Sequence, residues 1–191
     1  MRVLVCLLAA AWIGVAHAAE VSGVKLEDKI RINSAGQDLV LNGAGLRTRF
    51  FIKVYVAGLY LADRKGTTAD VLAAGGPKRV AMHMVRELTA QQLVDALNEG
   101  VVNNNPPAEV ERLKGPLGEL TAIMGALGQA KKGEVVTLDF APESGTRVTV
   151  NGEAKGKPIA GAELYRALLR VWLGDNPVQD DLKKALLGQP G

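Results

Sequence analysis

The chain has 191 residues, 48% of them hydrophobic and only 4% aromatic, which is enough apolar material to bury a core without disulfide or metal staples. The net charge of +3 comes from dispersed lysines and arginines, not from a basic stripe interleaved with aromatics, so nucleic acid is not an expected partner. A single cysteine, Cys6, excludes an internal disulfide.

In chain order, Arg2 precedes an apolar run from Val3 to Val15 and then the small-x-small triplet Ala16-His17-Ala18. This pattern reads as a secretory signal peptide over 1–18, cleaved after Ala18 or Ala19, and implies a periplasmic destination. The apolar run falls short of the about 20 residues a membrane span needs, so no stable membrane insertion is expected once it is removed. Residues 19–191 are then one domain without cysteine.

Lys25 to Ile32 and Gln37 to Asn42 alternate as strands around the turn-like Asn33-Ser34-Ala35-Gly36. Gly43-x-Gly45 precedes strand-like rather than helical sequence, so it reads as a turn and not as a phosphate loop. Arg47 to Leu61 is long enough for one bent strand or two, with a bulge expected at Gly58. Uninterrupted alternation puts Phe50, Ile52, Val54 and Val56 on an apolar core face and Arg47, Arg49, Phe51, Lys53 and Tyr55 on the other. Arg47 and Tyr55 could there converge on one anionic group with Phe51 between them. An ordinary strand with a wet outer face is the alternative.

Thr68 to Ala74 reads as a short helix stopped at Gly75-Gly76-Pro77, and Arg79 to Arg86 as a strand. Thr89 with Gln92 makes a capping box for a helix that ends at Gly100 or in Asn103-Asn104-Asn105-Pro106-Pro107. Val110, Leu113, Leu117, Leu120, Met124 and Leu127 form a helical apolar stripe, which Gly115-Pro116 should kink or split. Glu134 to Phe140 and Thr146 to Val150 read as a hairpin. Ala162 to Leu173 and Gln179 to Leu187 are helices stopped by Gly174 and Gly188. Runs of strands followed by runs of helices predict an α+β fold, a largely antiparallel sheet with helices on one face.

The residue inventory narrows the chemistry. His83 is the sole histidine past the signal segment and lies in an apolar strand, where it reads as a packed residue; no metal site and no cofactor are expected. Ser22, Ser34 and Ser144 lie in no nucleophile elbow, so a hydrolytic triad is not expected either.

Gly43-Ala44-Gly45-Leu46-Arg47, then Val54-Tyr55-Val56-Ala57-Gly58-Leu59-Tyr60-Leu61, resembles the signature of the chalcone isomerase-like family. Leu88-Thr89-Ala90-Gln91-Gln92, Gly145 to Gly152, Trp172-Leu173-Gly174 and Leu182 to Gly188 agree in order. The resemblance implies an open-faced β-sandwich: a curved antiparallel sheet, a helical layer, and a ligand between them. It implies that Arg47 matches the arginine that stabilises developing charge in the plant enzymes. The other polar positions differ. Tyr55 stands at the catalytic threonine's place, Leu93 at the tyrosine's, Gly100 at the asparagine's, and Val171-Trp172 at the Thr-Met pair.

Losing those hydrogen bonds argues against chalcone cyclisation, so no catalytic residue is assigned. The chain instead resembles the fatty-acid-binding, non-catalytic branch, which implies that Arg47 and Tyr55 hold a small amphiphilic carboxylate in a pocket lined by Phe51, Leu93, Val171 and Trp172. Two alternatives remain: an isomerase or intramolecular lyase acting on a flavonoid-like enone, and an envelope interaction protein with no ligand. A cavity with Arg47 at its end separates the first two readings from the third. The sequence names no protein partner.

Overall fold

The computed structural model describes residues 18–32 and 36–189, so residues 1–17 of the expected signal peptide 1–18, Asn33-Ser34-Ala35 of the expected turn, and residues 190–191 lie outside the described residues. A seven-stranded antiparallel sheet runs in the order β11-β10-β9-β6-β5-β4-β3. Its strands are β3 (Lys29–Ile32), β4 (Gln37–Arg49), β5 (Ile52–Leu61), β6 (Lys78–Met84), β9 (Val135–Ala141), β10 (Gly145–Val150) and β11 (Glu153–Ile159). Two short ribbons accompany it, β1 (Ala19–Val21) with β2 (Val24–Leu26) and β7 (Leu88–Thr89) with β8 (Gln129–Ala130). The sheet curls around a helical layer of α1 (Thr68–Ala73), α2 (Ala90–Asn104), α3 (Pro107–Arg112), α4 (Lys114–Gly125), α5 (Ala162–Leu173) and α6 (Asp180–Leu186). The α+β class and the sheet-with-helices architecture are as the sequence implied.

The sheet buries both faces. Ala57, Leu59, Val80, Met82, Val136 and Leu138 meet Leu93, Leu97, Leu168 and Trp172 of the helices. A smaller cluster of Leu26, Ile32, Leu39, Leu41, Val56 and Tyr60 forms on the opposite face. Across that face Arg79 and Asp139, direct partners on β6 and β9, make a two-pronged ion pair of 2.6 and 2.5 Å.

The capping box forms as read: Thr89 Oγ1 accepts from the Gln92 N–H at 3.2 Å, and Gln92 Oε1 accepts from the Thr89 N–H at 3.0 Å. The helix then passes through Gly100 and ends before Pro106. The Val110–Leu127 stripe is divided at Leu113, not at Gly115-Pro116, because Pro116 falls in the first turn of α4, where its missing N–H has no helical partner to lose. The stretch read as one strand from Lys25 to Ile32 is two, β2 and β3.

Gly43-x-Gly45 is not a turn. Both glycines lie inside β4 on the side that carries α6, and a Cβ at Gly43 would stand 2.0 Å from the Ala185 carbonyl oxygen. At Gly45 it would stand 2.8 Å from Ala185 Cβ and 2.9 Å from Leu182 Cδ1. The two bare positions seat the last helix on the strand. Asn42, the bulge residue beside them, locks that seat by donating to the Leu186 carbonyl at 2.7 Å. Gly58 is not at a bulge; it makes room for Leu26, whose Cδ2 would lie 2.6 Å from a Cβ there.

Lys78 is buried with its ammonium over the Phe140 ring, 5.2 Å from the centroid, donating to the Ala74 and Gly76 carbonyls. Burial, with the nearby Arg166 charge adding to it, lowers its pKa from 10.5 to about 8. The folded state therefore binds fewer protons at Lys78 than the unfolded one between those values, and stability should rise with pH from about 8 to about 9; nearer 10 the three tyrosines, whose pKa values folding raises, ionise first in the unfolded chain and oppose it. Urea midpoints measured across that window should increase, and Lys78→Met should flatten the slope.

Candidate functional site

The site begins with two interruptions in the β4–β5 hairpin. The strands reverse through a two-residue turn at Phe50-Phe51, both with positive φ (48° and 65°), so that Arg49 faces Ile52. The register then slips: Thr48 pairs with Lys53 but Arg47 pairs with Tyr55, leaving Val54 as the extra residue of a bulge. Together the turn and the bulge undo the uninterrupted alternation. Phe50, Phe51 and Ile52 are exposed, while Val54 and Tyr55 are both buried in the helix-side core. Arg47 and Tyr55 come together as direct cross-strand neighbours, not as two positions along one strand, and such pairs place their Cβ atoms about 5 Å apart.

Between this end of the sheet and the helices lies a cavity of about 190 Å³. That is more than ten times the space one water molecule requires. Val54, Met82, Leu93, Leu97, Met124, Leu138 and Val171 make its body apolar. Its polar end is Arg47 with Tyr55 and Trp172, and its rim is the exposed Arg49, Phe50, Ile52, Arg86, Gln92 and Ala96. Of the six expected contact residues, Arg47, Tyr55, Leu93, Val171 and Trp172 line this space. Phe51 does not. Its position in the turn points it away from the cavity into solvent, fully exposed.

The polar end is organised by Trp172, expected there as a lining residue, and by Gln179, which the sequence did not single out. Trp172 Nε1 donates to the Tyr55 hydroxyl at 3.0 Å. Burial raises the Tyr55 pKa, against the lowering effects of the Trp172 N–H and the Arg47 charge. The phenol thus keeps its proton at neutral pH and, with its oxygen accepting from Trp172, has that proton to donate.

Gln179, just before α6, accepts from the Thr48 N–H at 2.8 Å and donates to the Leu46 carbonyl at 3.3 Å, clasping β4 on both sides of Arg47. Arg47 itself donates to the Thr48 carbonyl and reaches Gln179 Oε1 at 3.4 Å. Among the described residues no carboxylate forms an ion pair with Arg47, Arg49 or Arg86. The cavity end is cationic, hydrogen-bond donating and without an internal counter-ion.

Gly100 is where α2 crosses α5. A Cβ there would lie 2.6 Å from Val171 Cγ1, so the glycine and the valine fit each other and leave no room for a polar side chain at 100 while Val171 keeps its place. Among the described residues there is no group of three or more potential metal-ligating side chains, and no helix is long and apolar enough to cross a membrane.

The profile of the family described as "Chalcone isomerase-like" matches residues 18–188. The chain belongs to that family. Among solved structures, a crystal structure of an Arabidopsis thaliana fatty-acid binding protein is similar, with a TM-score of 0.61 over 84% of this chain and 96% of that one. At 16% identity the likeness is one of fold. No curated protein matches. A shared fold leaves chemistry to the site, and here the site sets Arg47, Tyr55 and Trp172 at the end of an apolar cavity.

Proposed function

We propose that this protein is an exported, non-catalytic binder of a fatty acid or similar amphiphilic monocarboxylate. The observation that carries the reading is the pairing of an apolar cavity with the Arg47–Tyr55–Trp172 cluster, whose arginine has no counter-ion among the described residues. A carboxylate suits that end because guanidinium can hold it through two parallel hydrogen bonds while the Tyr55 O–H supplies another. An acyl chain suits the rest, where Leu93, Leu97, Met124 and Val171 offer no hydrogen bonds for a polyhydroxylated ring. The structural neighbour's description as a fatty-acid binding protein supports the same reading.

Trp172 is the sole tryptophan besides Trp12 of the signal segment, so its fluorescence reports on the cavity directly. Titration with a medium- or long-chain fatty acid should saturate with a Trp172 signal, and its methyl ester should bind at least about tenfold more weakly. Equal affinity for acid and ester would reject the carboxylate reading.

The non-catalytic reading makes a separate prediction against the alternative, isomerase chemistry. With Leu93, Val171 and Trp172 in place of polar groups, chalcone cyclisation should exceed the spontaneous rate by no more than about 10²-fold, the residual electrostatic effect of one arginine. A spectrophotometric assay that finds turnover at plant-enzyme levels would overturn it.

Export rests on the pattern of residues 1–18. Ala19 pairs with Leu26 in β1–β2, so cleavage after Ala18 keeps that ladder whole. N-terminal sequencing of the periplasmic fraction should return Ala19 or Glu20; intact Met1 in membranes would reject export.

A further inference from the structure

The tip of the β4–β5 hairpin breaks the rules of its own turn. A two-residue loop with positive φ at both positions favours Asn-Gly, and bulky residues rarely adopt that conformation, yet this one holds Phe50 and Phe51. Their exposures are 82% and 103%, and that of the following Ile52 is 52%; these three, with Val102, are the large apolar side chains most open to solvent among the described residues. Neither ring serves the core. On the hairpin itself the charge is of one sign: Arg47, Arg49 and Lys53 flank the rings, and the sequence has no acidic residue between Asp38 and Asp63. Arg49 lies over the Phe50 ring, 5.6 Å from its centroid. Arg86 joins Arg49, Phe50 and Ile52 on the cavity rim.

We propose that the Phe50-Phe51-Ile52 tip inserts peripherally into the interface of an anionic lipid bilayer, bringing the cavity mouth to the boundary between headgroups and acyl chains. The apolar wedge is what such an interface accepts, and the surrounding Arg49, Lys53 and Arg86 complement anionic headgroups. Continuity of the tip with the rim gives docking a purpose, since a single-chain amphiphile could pass between bilayer and cavity without crossing water. That purpose rests on the proposed carboxylate-binding function; docking itself does not. Binding of this kind is weak, reversible and salt-sensitive, because one short wedge and a few cations supply it.

The test is co-sedimentation of the mature protein with phosphatidylcholine vesicles, with and without phosphatidylglycerol. The parent protein should bind the anionic vesicles, and high salt should release it. Phe51→Gly, which lies outside the cavity lining and puts glycine where the turn prefers it, should reduce the vesicle partition coefficient roughly tenfold or more while leaving the Trp172 titration with soluble fatty acid unchanged. Lys53→Glu, also outside the lining, should reduce the anionic preference in the same way. No binding to either vesicle, equal binding by Phe51→Gly, or lipid-free self-association that Phe51→Gly abolishes would each overturn the proposal, the last in favour of a second copy of the chain. If the vesicle assay fails while the fatty-acid titration succeeds, docking alone is rejected. If vesicles bind but neither acid nor ester perturbs Trp172, the ligand reading fails and docking stands.

Discussion

Gly43→Val should lower the free energy of unfolding by about 3–5 kcal/mol, a large share of what a domain of this size has. The cause is geometric. A Cβ at 43 lands 2.0 Å from the Ala185 carbonyl oxygen and 2.8 Å from that of Leu186, and neither backbone atom can swing aside as a side chain would. The last helix must lift from β4, partly uncovering Leu182 and Leu186, each 1% exposed in the folded protein and each worth roughly 1.5–3 kcal/mol of burial. The damage should also reach the cavity, because Gln179 leads into α6 and clasps β4 beside Arg47. Urea denaturation should show a lowered midpoint with little change in slope, and Gly66→Ala, placed where a Cβ meets nothing within 4 Å, should stay within about 0.5 kcal/mol of the parent. A Gly43→Val protein as stable as the parent would mean that the helix is not seated on the strand as described.

Most of the fold was legible because its signals are local. The Thr89–Gln92 capping box, the glycine stop after Leu173 and the apolar period of α5 each depend on residues a few positions apart, and each element appears where it was read. β11 went unread because Glu153 to Ile159 is polar, with Gly156 and Pro158 inside it, and it lies at the edge of the sheet. The Gly43-x-Gly45 seat was misread for a different reason. Its partner is α6, some 140 residues away, and no local pattern distinguishes a glycine kept for close approach from one kept for a turn.

The candidate site shows the same division. Arg47 and Tyr55 were paired correctly for a mistaken geometric reason. Alternation along one strand predicts that they share a face, but the chain brings them together across a hairpin whose turn is Phe-Phe, a pair that carries no turn signal. The bulge at Val54 then rotates Tyr55 into the core, and Phe51, expected on the cavity wall, becomes the tip. Leu93, Val171 and Trp172 were reached through the family resemblance, not through pattern. Met82, Leu138 and Gln179 enter the site only through long-range packing, for which the sequence offers no spacing to read.

Arg47→Ala should weaken binding of a medium- or long-chain fatty acid by about 2–4 kcal/mol, because it removes a partly desolvated, charge-assisted contact and leaves the carboxylate facing an apolar cavity. Tyr55→Phe should cost less affinity, about 0.5–1.5 kcal/mol, since only one neutral donor is lost and the ring stays. The two variants should differ in stability in the opposite sense. Arg47 is half-buried and its hydrogen bonds go to Thr48 and Gln179 at the end of the sheet, so its loss should change folding little. Tyr55→Phe strips the buried Trp172 N–H of its acceptor and should destabilise the protein by about 1–2 kcal/mol. Calorimetric titration with the acid and its methyl ester, run beside urea denaturation, separates these effects. The ester should bind the parent and Arg47→Ala with similar affinity, because it offers the guanidinium no charge. An arginine that only props the bulge would instead weaken acid and ester alike, and an Arg47→Ala protein that binds the acid like the parent would remove the anchor from the mechanism.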